Sequence, residues 1–88
     1  MTKEEKKHER ARQAMLQRII DMEPGESVVY FHGFHLAEAA DGNPQLSGTR
    51  EGAWDAHIRQ LACLTQKRRG NKFDYIATRA SYDYGGEA

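Results

Sequence analysis

The chain has 88 residues, which is enough for one domain with a small core. Hydrophobic residues make up 39% of it and charged residues 30%, and Lys plus Arg equal Asp plus Glu at 13 each. A formal net charge of zero argues against a protein that coats DNA non-specifically. The single cysteine excludes an internal disulfide, and no apolar run reaches membrane-spanning length. We expect a single domain over residues 1–80, a flexible tail over residues 81–88, and a cytoplasmic location.

The charges are distributed unevenly. Residues 1–22 carry six Lys/Arg and four Asp/Glu, giving +2, whereas residues 23–57 carry one and six, giving −5. Residues 58–88 carry six and three, giving +3. Basic ends and an acidic middle predict a dipolar surface if the fold keeps them apart, and ordinary mixed surface charge is the alternative.

The first segment, Thr2 to Met22, is typical of a helix. Thr2 and Glu5 have the spacing of a capping box. Its second half carries apolar residues at helical spacing, namely Ala11, Met15, Leu16, Ile19, Ile20 and Met22. From Lys3 to Arg10 nearly every residue is charged, so we expect this half to project into solvent or to contact a partner. Pairing with a second copy of the same helix would make a homodimer.

The next elements are shorter. Ser27 to His32 predicts a strand because β-branched and aromatic residues follow one another. Phe34 to Ala40 fits either a short helix or an irregular strand, since seven residues are too few for a periodicity to decide. Asp41 to Pro44 has the composition of a loop.

A second helix is predicted from about Thr49 to Cys63. Trp54, Ile58 and Leu61 have the spacing of one helix face, which we expect to be buried. Ser47 or Thr49 would cap its start. Cys63 is expected to be a buried small hydrophobe.

The end of the chain predicts a β-hairpin. Leu64 to Arg69 and Lys72 to Arg79 flank Gly70-Asn71, and glycine at the first central position suits a type II′ turn. In that register Lys67 lies opposite Asp74, which stabilises the pair electrostatically. The register also places Thr65 opposite Ile76, Gln66 opposite Tyr75 and Arg68 opposite Phe73.

Together these elements predict an α+β, winged-helix-like fold: a long N-terminal helix, one strand, a second helix and a C-terminal β-hairpin. Thr49 to Ala62 would be the recognition helix, and Arg68 to Lys72 the tip of the wing. The chain departs from a standard winged helix in its middle helix, because Phe34 to Ala40 is short and is followed by an eight-residue loop.

Three segments carry a resemblance to known proteins. Residues 30–36 read Tyr-Phe-His-Gly-Phe-His-Leu, residues 64–68 read Leu-Thr-Gln-Lys-Arg, and residues 73–77 read Phe-Asp-Tyr-Ile-Ala. In these motifs the chain resembles a class of small uncharacterised bacteriophage proteins, over roughly residues 12–79. The resemblance implies a phage origin, hence the host cytoplasm, and a winged-helix-like fold, and it implies no particular activity.

Cationic and amide side chains of the predicted helix and wing form the candidate nucleic-acid site. Such groups bind phosphates and base edges, and Glu51 and Asp55 on the same helix would oppose phosphate. On this basis we predict a regulator that binds duplex DNA. The candidate residues are Arg50, His57, Arg59, Lys67, Arg68, Arg69, Asn71 and Lys72.

Other functions compete with this one. A phage effector that binds and inhibits a host protein complex, such as RNA polymerase or CRISPR defence machinery, fits the small size, the segregated charge and the zero net charge. A self-assembling structural protein is a third hypothesis. No nucleophile elbow or phosphate-cradling loop is present, so we predict neither an enzyme nor a cofactor. His32 and His35 alone do not make a metal site.

Overall fold

The computed structural model describes residues 2–80, so the tail predicted over residues 81–88 lies outside them. The chain forms a small α+β domain with a three-stranded antiparallel sheet in the order β1-β3-β2. No helix among the described residues is long and apolar enough to cross a membrane. The elements, in chain order, are α1 (Lys3–Asp21), β1 (Ser27–Gly33), α2 (Leu36–Ala40), α3 (Pro44–Ile58), β2 (Ala62–Arg69) and β3 (Lys72–Arg79).

The start of α1 is fixed as its sequence predicts. The Thr2 hydroxyl accepts a hydrogen bond from the backbone N–H of Glu5, and the Glu5 carboxylate accepts one from the backbone N–H of Thr2, both at 3.1 Å. This capping box satisfies donors that the first helical turn leaves unpaired. Met15 and Ile19 are buried as expected, whereas Ile20 on the edge of the stripe is 41% exposed.

Helix α1 contacts α3 over more of its length than the sequence suggested. Lys3 to Lys7 are exposed, but His8 Nε2 lies 3.0 Å from a Glu51 carboxylate oxygen. One turn later Arg12 donates to Asp55 at 2.7 Å. The expectation that the whole of Lys3–Arg10 projects into solvent or contacts a partner is therefore wrong at His8 and Glu9, which are half-buried, whereas Arg10 is exposed. Helix α3 covers most of the apolar stripe of α1. Self-association through α1 is not tested by these contacts and stays a prediction.

Arg12 also donates through Nε and Nη2 to the two carboxylate oxygens of Glu9 on its own helix. These hydrogen bonds, with a further one from Gln13, lower the pKa of Glu9 to about 2. The Glu9–Arg12–Asp55 chain thus links α1 to α3 with charge-assisted bonds.

Helix α3 begins and ends about five residues before its predicted bounds. Asn43 caps it, accepting a hydrogen bond from the N–H of Leu46 at 3.1 Å, and Pro44 takes the first helical position. Proline suits that position because its missing N–H would be unpaired there. Asn43-Pro44 is therefore a helix start and not the middle of a loop. The helix ends at Ile58, and Cys63 lies in β2.

The buried face of α3 also differs from the prediction. Trp54 is 54% exposed and Ile58 is 61% exposed, so the expected burial of these two residues is wrong. Cys63 is exposed too. The buried positions on α3 are the small residues Gly48, Gly52, Ala53 and Ala56. Only small residues fit there, because α1 packs closely against this face. The large apolar residues that produce the hydrophobic periodicity lie on the opposite face of α3.

The hairpin is confirmed in every predicted pair. Lys67 lies opposite Asp74, and the same register runs unbroken from the Ala62–Arg79 pair to the turn. Gly70 has a φ of 64°, a left-handed value that glycine adopts without strain. Segment 34–40, left open by the sequence, contains the short helix α2.

The helices cover one face of the sheet. Ala77 of β3 belongs to the core with Met15, Ile19, Ala53, Ala56 and Ala62. Side chains alternate along a strand, so Asp74, Ile76 and Thr78 point to the other face. That face carries Ser27 bonded to Thr78 at 2.7 Å, and none of the helices α1 to α3 covers it.

Candidate functional site

The three helix residues of the predicted site do not lie together. Arg50 is exposed in the second turn of α3. His57 is exposed near the other end, with its ring 5.1 Å from that of Trp54. Arg59 is the C-cap of α3, and its backbone N–H donates to the backbone carbonyl of Asp55 at 3.0 Å. Since β2 starts at Ala62, His57 and Arg59 lie at the opposite end of the strands from the hairpin tip, roughly 20 Å away for eight residues of strand.

The five hairpin residues do lie together, and three of them have local partners. Arg69 Nε donates to Asp74 Oδ2 at 2.9 Å, and Arg68 Nε donates to the Gly70 carbonyl at 3.0 Å. Lys72 Nζ lies 5.6 Å from the centre of the Phe34 ring, within cation–π range. Lys67 and Asn71 are exposed. The tip is therefore basic and partly preorganised.

Strand alternation divides these cations between two sides of the hairpin. Arg68 shares a side with Gln66 and Leu64, which line a cleft together with Arg50. Lys67 and Arg69 point to the open face, where Arg69 reaches Asp74. The tip thus presents positive charge on both sides.

Sequence reasoning missed a three-residue cluster on the open face. His32 Nδ1 lies 2.6 Å from Asp74 Oδ1, while Arg69 occupies the other carboxylate oxygen. The bond from His32, helped by Arg69 and opposed by burial, holds the pKa of Asp74 below its ordinary value of 3.8. Only the pairing of His32 with Asp74 across β1 and β3 brings the cluster together, and that long-range register was not predicted.

The cleft lies between α3 and β2 and has a volume of about 730 Å³. Tyr75 is fixed at its base, because its hydroxyl accepts from the Leu36 N–H at 3.2 Å and donates to the Phe34 carbonyl at 3.3 Å. Burial raises the pKa of Tyr30, the nearby Tyr75 adds to this, and Arg50 opposes it. The lining residues include Tyr30, His35, Arg50, Trp54, Leu64 and Gln66.

A shallower depression beside the start of α3 is acidic. Glu4, Glu38 and Asp41 line it, with Arg50 on the same wall. Three carboxylates against one guanidinium oppose a phosphate backbone there. The first turn of α3 is thus electrostatically unsuited to entering a DNA groove, whereas the hairpin tip is suited to contacting phosphates.

Comparison of the chain with protein-family models, curated proteins and solved structures gave no match. Within residues 2–80, no three His, Cys, Asp or Glu side chains come together in a way that would hold a metal ion. His32 is engaged with Asp74, and His35 lines the cleft.

Proposed function

We propose that the protein is a small, phage-type, winged-helix-like regulator that binds duplex DNA chiefly through its basic hairpin tip. The order α1-β1-α2-α3-β2-β3 and the central position of β3 are typical of winged-helix domains and support this proposal. In that comparison α3 corresponds to the recognition helix, and the β2–β3 hairpin corresponds to the wing.

The observation that carries the proposal is the charge of the tip. Lys67, Arg68, Arg69 and Lys72 are four exposed cations within six residues, and Asp74 is the carboxylate that compensates one of them. Contacts to phosphates supply most of the affinity in sequence-independent DNA binding. Asn71 at the turn adds an amide that hydrogen-bonds bases or phosphates.

The role of α3 in this proposal is narrower than the sequence predicted. Arg50 lines the cleft on the side of the hairpin to which Arg68 points, so in this proposal both contact one DNA backbone. His57 and Arg59 lie at the far end of the strands, and the acidic depression flanks the start of the helix. We therefore assign α3 a supporting contact through Arg50 and not deep base recognition.

Titration of a fluorescent DNA duplex at low and moderate salt tests this function. A double variant that carries both Arg68→Gln and Lys72→Gln should bind the duplex more weakly. The slope of log K against log salt should fall in magnitude by about 2, because each phosphate contact contributes about 0.9. The matched control, Lys6→Gln with Lys7→Gln, removes the same charge from the exposed start of α1 and should bind like the unmodified protein. Absence of binding at low salt, or equal loss in both double variants, would reject the proposal.

A second function is favoured by one specific observation. Trp54 and Ile58 are large, exposed and one helical turn apart on α3, and exposed aromatic residues of this kind often anchor protein interfaces. A phage effector that binds a host protein would use this face. In co-purification from a host lysate, Trp54→Ala should then lose a stoichiometric partner that Val29→Ala, a control on the open sheet face, retains.

A further inference from the structure

The two edges of the sheet differ in their capacity to accept another strand. On β1 the pairing with β3 shifts between Val29 and Phe31, which places a bulge at Tyr30. Bulges of this kind interrupt an edge. On β2 the pairing is regular from Ala62 to Arg69, and β2 contains no proline. The outer side of β2 is therefore a continuous edge within the described part of the chain.

The hairpin geometry identifies the backbone groups that point outward along this edge. A two-residue turn makes Arg69 and Lys72 a hydrogen-bonded pair, and such pairs alternate along an antiparallel ladder. Lys67 and Thr65 therefore bond to β3. The N–H and C=O groups of Leu64, Gln66 and Arg68 point away from it.

The bonds at the other end of the ladder agree with this assignment. Arg79 lies opposite Ala62, and its N–H donates to the Glu26 carbonyl on the β1 side at 2.8 Å. The next residue, Ala80, donates to the Leu61 carbonyl on the β2 side at 2.8 Å. The alternation thus holds over the whole length of the hairpin.

The cleft runs beside this edge and supplies side-chain contacts. Leu64 and Gln66, whose backbone groups point outward, line it together with Trp54 and Arg50 of α3. A strand added to β2 would lie beneath the exposed indole of Trp54. Every second side chain of that strand would enter the cleft, because side chains alternate along a strand.

The charges beside the edge decide which strand fits. Arg50, Lys67 and Arg68 surround it, and the one carboxylate that residues 2–80 contribute to the cleft wall, that of Glu51, is engaged by His8 at 3.0 Å. We propose that the β2 edge and the cleft bind an extended acidic peptide segment of a partner protein by strand addition. Main-chain hydrogen bonds supply affinity in this mode, and side-chain pockets supply selectivity.

Two other occupants fit the observations less well. A second copy would offer this edge its own β2, a strand that contains three cations at residues 67–69 and no carboxylate, so it would not complement the positive charge of the edge. A nucleic acid would use the cations but has no alternating N–H and C=O groups to match those of Leu64, Gln66 and Arg68. This proposal shares Arg50, Lys67 and Arg68 with the DNA-binding function, but it also requires the outward N–H and C=O groups of β2, which DNA binding does not.

A displayed library of random peptides of about ten residues, selected on the full chain, tests the proposal. The selected peptides should be rich in Asp and Glu, with an apolar residue at alternate positions. Gln66→Pro removes one outward N–H, at an edge position that tolerates proline, and should weaken their binding by about tenfold or more. Gln66→Ala removes the same side chain but keeps that N–H, so the weaker binding of Gln66→Pro relative to Gln66→Ala measures the backbone contact. Selection of no peptide, or of peptides without an acidic excess, would overturn the proposal.

Amide hydrogen exchange gives a second readout that needs no variant. The selected peptide should slow exchange at Leu64, Gln66 and Arg68, while Thr65 and Lys67 are already slow in the free protein. Uniform slowing, or none, would contradict strand addition. A Gln66-dependent dimer in the free protein would instead assign the edge to a second copy. Gln66→Pro should still bind duplex DNA, so this proposal and the DNA proposal fail separately.

Discussion

Gly48 of α3 lies directly against the backbone carbonyl of His8 in α1, so close that a Cβ atom would overlap the oxygen. One turn later Gly52 meets the carbonyl of Arg12 in the same way. Residue numbers rise together in the two helices, which therefore run parallel with their backbones in contact. Glycine at these positions sets the spacing of the helix pair that covers the sheet.

Gly48→Ala should therefore lower the free energy of unfolding by about 2 kcal/mol, within the range for overpacking a tight interface. Alanine favours a helix over glycine by about 1 kcal/mol, but the clash is with backbone, which cannot rotate away. Urea denaturation measures the change. Ser47→Ala, on the neighbouring position, should change stability by less than about 0.5 kcal/mol. A gain for Gly48→Ala would show that the helices separate at little cost.

The same contact explains which parts of the fold the sequence could predict. The capping box and the hairpin register follow from neighbouring residues, and both are confirmed. The inner face of α3 depends on α1, some forty residues away, and is made of Gly48, Gly52 and Ala56. Hydrophobic periodicity cannot detect a face of small residues, so it selected Trp54 and Ile58.

The candidate site also has a part that depends on neighbouring residues and a part that depends on long-range contacts. The basic tip was predictable because Arg68 to Lys72 are consecutive. The cleft and the His32–Asp74–Arg69 cluster were not, because β1 joins the hairpin only through the β1–β3 register. Asn43-Pro44 carries a signal for the true start of α3, a capping residue followed by proline, but the composition of Asp41 to Pro44 is equally typical of a loop.

A second prediction concerns the end of α3. Gln60 has a φ of 63°, and the Leu61 N–H reaches back to the Ala56 carbonyl at 2.8 Å, the bonding of a Schellman motif. Glycine is preferred at this left-handed position. Gln60→Gly should raise the free energy of unfolding by about 0.5–1 kcal/mol. The substitution removes the strain of a non-glycine residue at positive φ, and the greater backbone entropy of glycine in the unfolded chain offsets part of that gain. Gln60→Val should lower the free energy of unfolding, since a β-branched residue resists positive φ; equal stabilities would contradict this.

A third prediction concerns acid. The lowered pKa of Asp74 in the folded state means that its ionised form contributes stability above the unfolded-state pKa. That contribution is lost as pH falls through the folded-state pKa. The stability difference between wild type and Asp74→Asn should therefore be largest near neutral pH and disappear in strong acid. Thermal unfolding across this range measures it. A difference that persists unchanged in acid would mean that packing, and not charge, makes Asp74 important.

The last prediction separates packing from binding on α3. Trp54 is 54% exposed, so Trp54→Ala should cost no more than about 1 kcal/mol of unfolding free energy, as is typical outside the core. Ile19 is fully buried, and Ile19→Ala should cost about 2–5 kcal/mol because it leaves a cavity. Urea denaturation of the two variants measures both. If Trp54→Ala costs as much as Ile19→Ala, the indole is structural, and neither a protein interface on α3 nor the Trp54 wall of the peptide cleft can be inferred from its exposure. If it costs little, loss of peptide or partner binding in the same variant reports contact with Trp54.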